Sequence, residues 1–438
     1  MILLFLTYAL GLSLAYGIYL LLRHVWTEYV TSPLLDLPGP PSESLIWGNM
    51  QQIFKGENSV WHEQWVEEYG TTIRYKGLLG TNRLYTMDTK ALNHILTNHY
   101  DYQKSEFSRW SLSQIVGDGI LVTETDKHKF QRKVMNPAFG PAQIRQLTSI
   151  FIEKSNELRD VWKAQINDSE NGEVRLDAMT WLSKMTLDVI GLAGFNYQFS
   201  SLSSKPNELN EAFKILFKQT SSFQLWPLLQ GHIPFLRPLK LPNARTRATN
   251  TSRKTMSRIG HQLLRDAKAS QASEKGGEND LLSLLVRSNM QEQNTKSGGM
   301  SDEDVLAQVP TFLVAGHETT STAVTWALYL LTLYPEVQAK LREELVGVST
   351  AMPTMDELSA LPYLDKFVRE VLRLYPPVPA TSREAVKDDM VPLNEGYIGK
   401  DGKMKDHVQV KKGQTILINI QAINRSKKIW GEDAHEFV

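Results

Sequence analysis

Residues 301–334 read SDEDVLAQVPTFLVAGHETTSTAVTWALYLLTLY, and the rest of the chain is arranged around this stretch. Ser301 with Asp304 three residues on has the form of a capping box, and Asp302 and Glu303 suit the positive end of a helix. From Val305 onward the run is apolar on nearly every face, the mark of a helix buried in a large core. As one helix it would run about 50 Å, enough to cross a whole domain. Its middle holds a polar knot, Gly316-His317-Glu318-Thr319-Thr320-Ser321. Ala315 and Thr319 are four apart and share a face, and the small Ala315 and Gly316 let another group approach the backbone closely. Pro310 removes one backbone donor and predicts a bend just ahead of the knot.

Three readings compete for the knot. In the first, Thr and Ser bond back to carbonyls one turn earlier and Glu318 finds a partner, the commoner fate of such residues. The second is a zinc protease, which needs His-Glu-x-x-His, but position 321 is Ser and the second ligand is missing. The third is a cofactor lying over the small residues, with an acid and a hydroxyl beside it to move protons. The stretch alone leaves the first and third open.

The chain has 438 residues, 42% of them hydrophobic, which suffices for one large domain or two ordinary ones. Its 48 basic and 48 acidic residues cancel, so nothing points to a nucleic-acid partner. There is no cysteine. That excludes disulfides, thiol nucleophiles, cysteine-ligated zinc and iron–sulfur clusters.

From Ile2 to Leu22 the chain carries no charge, long enough to span a bilayer as a helix. Arg23 and His24 come next, with Trp26 and Tyr29 placed as interfacial anchors. A cleaved signal peptide is the alternative, opposed by the missing basic n-region, the length of the run and the lack of a clear cleavage site. The expected organisation is an anchor over 1–22, a Pro-rich juxtamembrane linker over 23–45 with Leu37-Pro38-Gly39-Pro40-Pro41 as a stiff spacer, and a main domain over 46–438. The sequons at Asn167, Asn250 and Asn424 would then be chance matches.

Residues 60–69 and 91–98 read as helices, and 71–86 as a hairpin. His128 and Arg132 lie four apart on a helix that stops before Pro137. They are either a clamp for paired carboxylates or part of a solvated basic face with Lys127, Lys129 and Lys133. Residues 141–265 read as several helices broken at prolines, with Phe213, Phe217, Phe223, Leu225 and Trp226 in the core or on a membrane. Two polar stretches, 269–279 and 291–299, read as surface loops. Leu361–Leu374 is helical and carries Glu370 and Arg373 three apart, by default an exposed ion pair. Short strands over 396–420 complete a mostly helical α+β pattern with a small antiparallel sheet.

Taken together, LPGPP (37–41), HKFQRK with NPAF (128–139), AGHETTS (315–321), EVLR (370–373), PPVPATSREA (376–385) and AINRSKKIWGEDAHEF (422–437) resemble the microsomal cytochrome P450 monooxygenases. The style is closest to fungal members. The resemblance implies a P450 fold with an N-terminal transmembrane helix and a haem b cofactor. Electrons would come from NADPH through a cytochrome P450 reductase, and one oxygen of O2 would enter an apolar small molecule. A terpenoid, fatty acid or aromatic compound of fungal secondary metabolism or detoxification would fit. It also implies a single-pass place in the endoplasmic reticulum membrane with the catalytic domain in the cytosol.

Residue by residue, the resemblance implies that Ala315 and Gly316 lie over the distal face of the haem while Glu318 and Thr319 organise water and protons. Arg132, His128 and Arg383 would hold the propionates, and Glu370 with Arg373 would form a buried structural pair. Phe107, Trp110, Ile115, Phe312, Val378, Ala380 and Thr381 would face substrate. The family's proximal ligand is a cysteine thiolate in a glycine-rich loop that comes after the stretch where this chain stops. The fold is therefore expected to be C-terminally incomplete, with Glu370 and Arg373 keeping only each other. His407 and His435 are substitutes by chemistry alone, at the wrong positions. Oxygenation by these 438 residues is not expected, and the alternative is a non-catalytic membrane-anchored remnant that binds a partner or an apolar ligand.

Overall fold

The alternating run at 71–86 folds as a hairpin of β1 (Thr72–Lys76) and β2 (Asn82–Thr86), pairing Thr72 with Thr86 and Lys76 with Asn82. In the computed structural model the described residues are 2–56, 59–203, 207–209, 211–212, 226, 230–231, 234–239, 244–272, 280–293 and 298–438. They fall into two units, residues 1–105 with 378–436 and residues 106–377 with 437–438. Phe213, Phe217, Phe223 and Leu225 lie outside the described residues, as do parts of the two polar stretches, 273–279 and 294–297.

The first unit holds the strands. Further strands are β3 (Tyr102–Gln103), β4 (Ala380–Ala385), β5 (Asp389–Ile398), β6 (Met404–Val410) and β7 (Thr415–Asn419). Five of the seven form one sheet in the order β1-β2-β7-β4-β3, and β5 pairs with β6 apart from it. The expectation of a purely antiparallel sheet is corrected by one pairing. β2 and β7 run parallel, with Leu84 beside Ile416. That pairing joins segments more than 300 residues apart, beyond anything a local alternation pattern can encode. The helices of this unit are α1 (Ile2–Trp26), α2 (Met50–Lys55), α3 (Val60–Tyr69) and α4 (Thr89–Thr97), with the short α16 (Ile420–Asn424) and α17 (Lys427–Trp430) near its end. The carboxylate of Asp88 caps α4 by accepting from the amides of Lys90 and Ala91, and it also accepts from those of Asn394 and Glu395.

The segment expected as an anchor is helical, but among the described residues no helix is long and apolar enough to cross a membrane. α1 continues unbroken through Arg23 and His24, so a helix is established there and a crossing is not. The linker is a plainer correction. Residues 33–36 form a 3-10 turn whose Leu34, with Leu37 just after it, is fully buried among Leu84, Ile95 and Val391. Asp36 accepts hydrogen bonds from the Lys400 amide at 2.8 Å and the Lys405 ammonium at 2.5 Å. Two leucines and one carboxylate turn the expected spacer into part of the core of the unit.

The second unit is helical: α5 (Glu106–Val116), α6 (Thr125–Met135), α7 (Pro141–Asn167), α8 (Ala178–Phe195), α9 (Ala244–Ala272), α10 (Leu281–Gln293), α11 (Asp302–Leu306), α12 (Gln308–Leu333), α13 (Pro335–Val346), α14 (Met355–Ser359) and α15 (Pro362–Leu374). Its main core joins Met135, Leu187, Phe195, Ile259, Leu285, Val309 and Leu313. The single long helix expected from Ser301 onward is two, broken at Ala307. The break puts Pro310 in the first turn of α12, where a missing N–H costs no intrahelical bond. Ser301 caps α11, its hydroxyl oxygen accepting from the Asp304 amide at 3.1 Å.

Candidate active site

The polar knot sits mid-way along α12, and two faces of that helix behave differently. At ~100° per residue, Ala315, Glu318 and Thr319 share one side while Gly316 and His317 point away from it. Gly316 meets α8 so closely that a Cβ there would lie 2.8 Å from Ile190 Cδ1. Its smallness thus serves helix packing, a sufficient reason for glycine at this position. His317 is half-buried on the same side. Its Nε2 is 2.7 Å from the Ser183 hydroxyl, and the Thr186 hydroxyl donates to its carbonyl at 3.1 Å. Burial pushes the imidazole down to about 4, so it is neutral in the folded protein. Ser183, Thr186 and Ile190 therefore form one stripe of α8 that fixes the rotation of α12. Sequence reasoning missed them, and the only signal was a pair of hydroxyls three apart in a mostly apolar helix.

On the opposite side, the Thr319 hydroxyl donates to the Ala315 carbonyl at 2.6 Å. Ser321 does the same to Glu318, and Thr325 to Ser321. The back-bonding reading thus accounts for these hydroxyls. It does not account for the Glu318 side chain, which has no hydrogen bond or ion pair among the described residues and whose carboxyl is pushed up by burial. The zinc reading fails on structure as it does on sequence. Among the described residues no three metal-binding side chains converge, and His317 is committed to Ser183.

Glu370 and Arg373 form a two-bond ion pair, Nε to Oε2 at 2.8 Å and Nη2 to Oε1 at 2.7 Å. The Arg373 side chain is only 9% exposed, so the default of a solvated surface pair is wrong here. The expectation that the two keep only each other is corrected as well, since the Val438 amide donates to Glu370 at 3.2 Å. Phe437, one residue before, packs on Tyr334 and Phe367. On α6, Lys127 and Lys133 are drawn off to Asp304 and Glu292. Arg132 is exposed without a partner among the described residues, while His128 is half-buried and engaged.

The expected substrate-facing residues divide. Phe107 and Trp110 on α5 are half-buried against Gly231, and the Arg237 guanidinium lies 5.7 Å from the Trp110 ring while pairing with Glu106. Ile115 is half-buried near the end of the same helix. Phe312 is 7% exposed and packs on Phe139 and Phe195 in the core of the second unit. In the first unit Val378 is exposed, Ala380 and Thr381 are half-buried at the start of β4, and Arg383 donates to the Thr381 hydroxyl at 3.0 Å.

Comparison with known proteins decides the family. The cytochrome P450 family model matches residues 38–438. The chain belongs to the cytochrome P450 family. Cytochrome P450 monooxygenase 205 of Postia placenta is 50% identical over 98% of this chain and 82% of that protein. Cytochrome P450 monooxygenase 128 of the same fungus is 46% identical over 97% and 79%. Cytochrome P450 monooxygenase claP of Ampulloclitocybe clavipes is 36% identical over 92% and 76%. By family this P450 is a haem-dependent monooxygenase with an oxidoreductase's chemistry.

The donor set fits that cofactor only in part. Ala315 and Thr319 offer the small, hydroxyl-bearing helix face and Arg132 a free cation, but no cysteine occurs in the chain. His407 is exposed and bonded to Asp406, and His435 stands 3.7 Å from Glu63, so neither completes an iron site. The chain does not supply the thiolate on which the family's oxygen chemistry depends, and no step through iron can be derived from its side chains.

Proposed function

We propose that this P450 carries the substrate-binding and proton-handling body of an oxygenase for apolar small molecules, fed by an NADPH-dependent reductase. Without a cysteine, these 438 residues do not activate oxygen by themselves. Glu318 is the observation that carries the reading. It is a carboxyl without a partner among the described residues, raised by burial from its ordinary value, and the next residue carries a hydroxyl whose own proton is committed to Ala315. Such a carboxyl can take a proton from solvent at one oxygen and pass it toward the Thr319 oxygen, whose lone pairs stay free to accept. Phe107 and Trp110 support an apolar substrate; terpenoids, fatty acids and aromatics all fit that chemistry.

The membrane placement belongs to the same proposal. Supporting it are the solvent-facing Leu12, Leu14, Leu21 and Leu22 of α1, followed by Arg23 and the exposed Trp26. That arrangement favours an anchor in the endoplasmic reticulum with the main body in the cytosol. A second reading, a binder of apolar ligands without turnover, is favoured by the lack of cysteine. Incubating the full chain with a fungal NADPH–P450 reductase, 18O2 and a panel of apolar compounds tests both. Quenching of Trp fluorescence by an apolar ligand without 18O-labelled product is the expected result. Labelled product would overturn the non-competence reading, and no ligand response would overturn the apolar-substrate reading.

A further inference from the structure

The long helix α9 carries a charge pattern that the oxygenase reading does not use. At ~100° per residue, Arg247, Lys254, Arg258, His261, Arg265 and Lys268 fall within about 80° of arc, and all six are exposed. The row extends roughly 30 Å at 1.5 Å per residue. The opposite face, with Met256, Ile259, Leu264 and Ala267, is buried in the main core of the second unit, so the stripe is held outward. Asp266 is the only acid on the helix, and it lies off the row. Arg258 pairs with Glu208 and Lys268 with Asp302, but Arg247, Lys254, His261 and Arg265 have no partner among the described residues. In a chain of zero net charge, five Arg and Lys side chains, with His261 among them, are concentrated on one face of one helix.

A second feature lies just ahead of it in the chain. Phe235 is 76% exposed and Leu239 54%, and α9 begins five residues later. Large apolar side chains leading into a straight cationic row match a lipid surface, with acyl boundary for the first and anionic headgroups for the second. An acidic protein would satisfy the charges and leave the apolar pair unexplained. We propose that the Arg247–Lys268 face of α9 is a contact surface for anionic lipid headgroups. This deepens the membrane placement given above, and it can fail while the α1 anchor survives.

The test uses the full chain with vesicles of phosphatidylcholine alone and of phosphatidylcholine mixed with phosphatidylserine. Flotation reports the anchor. Amine-reactive labelling read by mass spectrometry reports the stripe, through Lys254, with the exposed Lys403 and Lys411 that flank β6 in the first unit as controls. On the anionic vesicles Lys254 should label about fivefold more slowly, the weight of one cationic side chain at such a surface, and the controls should not change. In R247Q/R265Q the slowing should disappear, and since both arginines are exposed and unpaired the fold is not at risk. Equal Lys254 labelling on both vesicles, slowing shared by the controls, or slowing retained in R247Q/R265Q would overturn the stripe. Flotation with neutral vesicles supports the anchor independently, and flotation with anionic vesicles alone overturns the anchor and leaves the stripe standing.

Discussion

His317 and Glu318 are adjacent in the chain and displaced in opposite directions. The imidazole, half-buried and bonded to Ser183, is held down to about 4 by desolvation, and His62, packed among Trp65, Tyr75 and Tyr85, is held down to about 4 too. Both bases are neutral when folded, and the unfolded chain binds the extra protons. Their contribution to stability is therefore full above the ordinary histidine value of 6.5 and is lost as pH falls toward about 4. Thermal melts of H62Q/H317Q across that window should show a flatter decline than the parent protein. An unchanged slope would mean neither ring titrates as its burial dictates. Glu318 has the reverse sign. Its raised carboxyl favours the protonated form when folded, so stability is lost as pH rises past the ordinary glutamate value. E318Q should melt higher than the parent protein at neutral pH and match it at pH below that value. The Glu370–Arg373 pair was legible as a spacing; its burial was implied by the family resemblance alone, because periodicity reports a face and not what covers it. R373M alone should cost about 3 kcal/mol in urea unfolding by stranding a buried carboxylate, and E370L/R373M should cost less.

Among elements, the contact of α8 with α12 sets the geometry of the site. Gly316 and Ile190 touch where any larger residue would collide, and Ser183 and Thr186 lock the same interface with hydrogen bonds. G316A should destabilise by about 1–3 kcal/mol through overpacking, and I190V in the same chain should recover much of that loss. Failure of the second change to rescue would place the collision elsewhere. The elements themselves were largely readable. Caps, proline positions and 3.6-residue periodicity located the helices around 60–69, 91–98 and 362–374, and alternation located the hairpin. Anything requiring two distant segments escaped, namely the parallel β2–β7 pairing, the α8 stripe, and the commitment of Phe312 to the core. By its sequence Pro310 implies a bend inside one helix. The chain instead restarts the helix so that the proline needs no donor.

At the scale of the whole molecule, the N-terminal stretch divides at a physical boundary. Residues 34–37 belong to the core of the first unit, and Glu28 is bonded to Asn82, with Lys76 over the Tyr29 ring at 4.0 Å. Deleting residues 1–22 should leave the melting temperature nearly unchanged, whereas deleting 1–40 should prevent folding through loss of both buried leucines, each worth about 2–5 kcal/mol. A stable, cooperative melt of the shorter chain would contradict the docking of the linker. Family membership was legible from six motifs that stand in the family's order along the chain. The expectation that these 438 residues lack the family's thiolate rests on a single count, the absence of cysteine. The most direct measurement is a carbon-monoxide difference spectrum on dithionite-reduced membranes expressing these 438 residues. No Soret band at the thiolate-ligated position is predicted, since no side chain in the sequence can supply that ligand. A band there would contradict the partial donor set described for this P450 and would require an iron ligand that the Ala315–Thr319 face, Arg132, His407 and His435 do not provide.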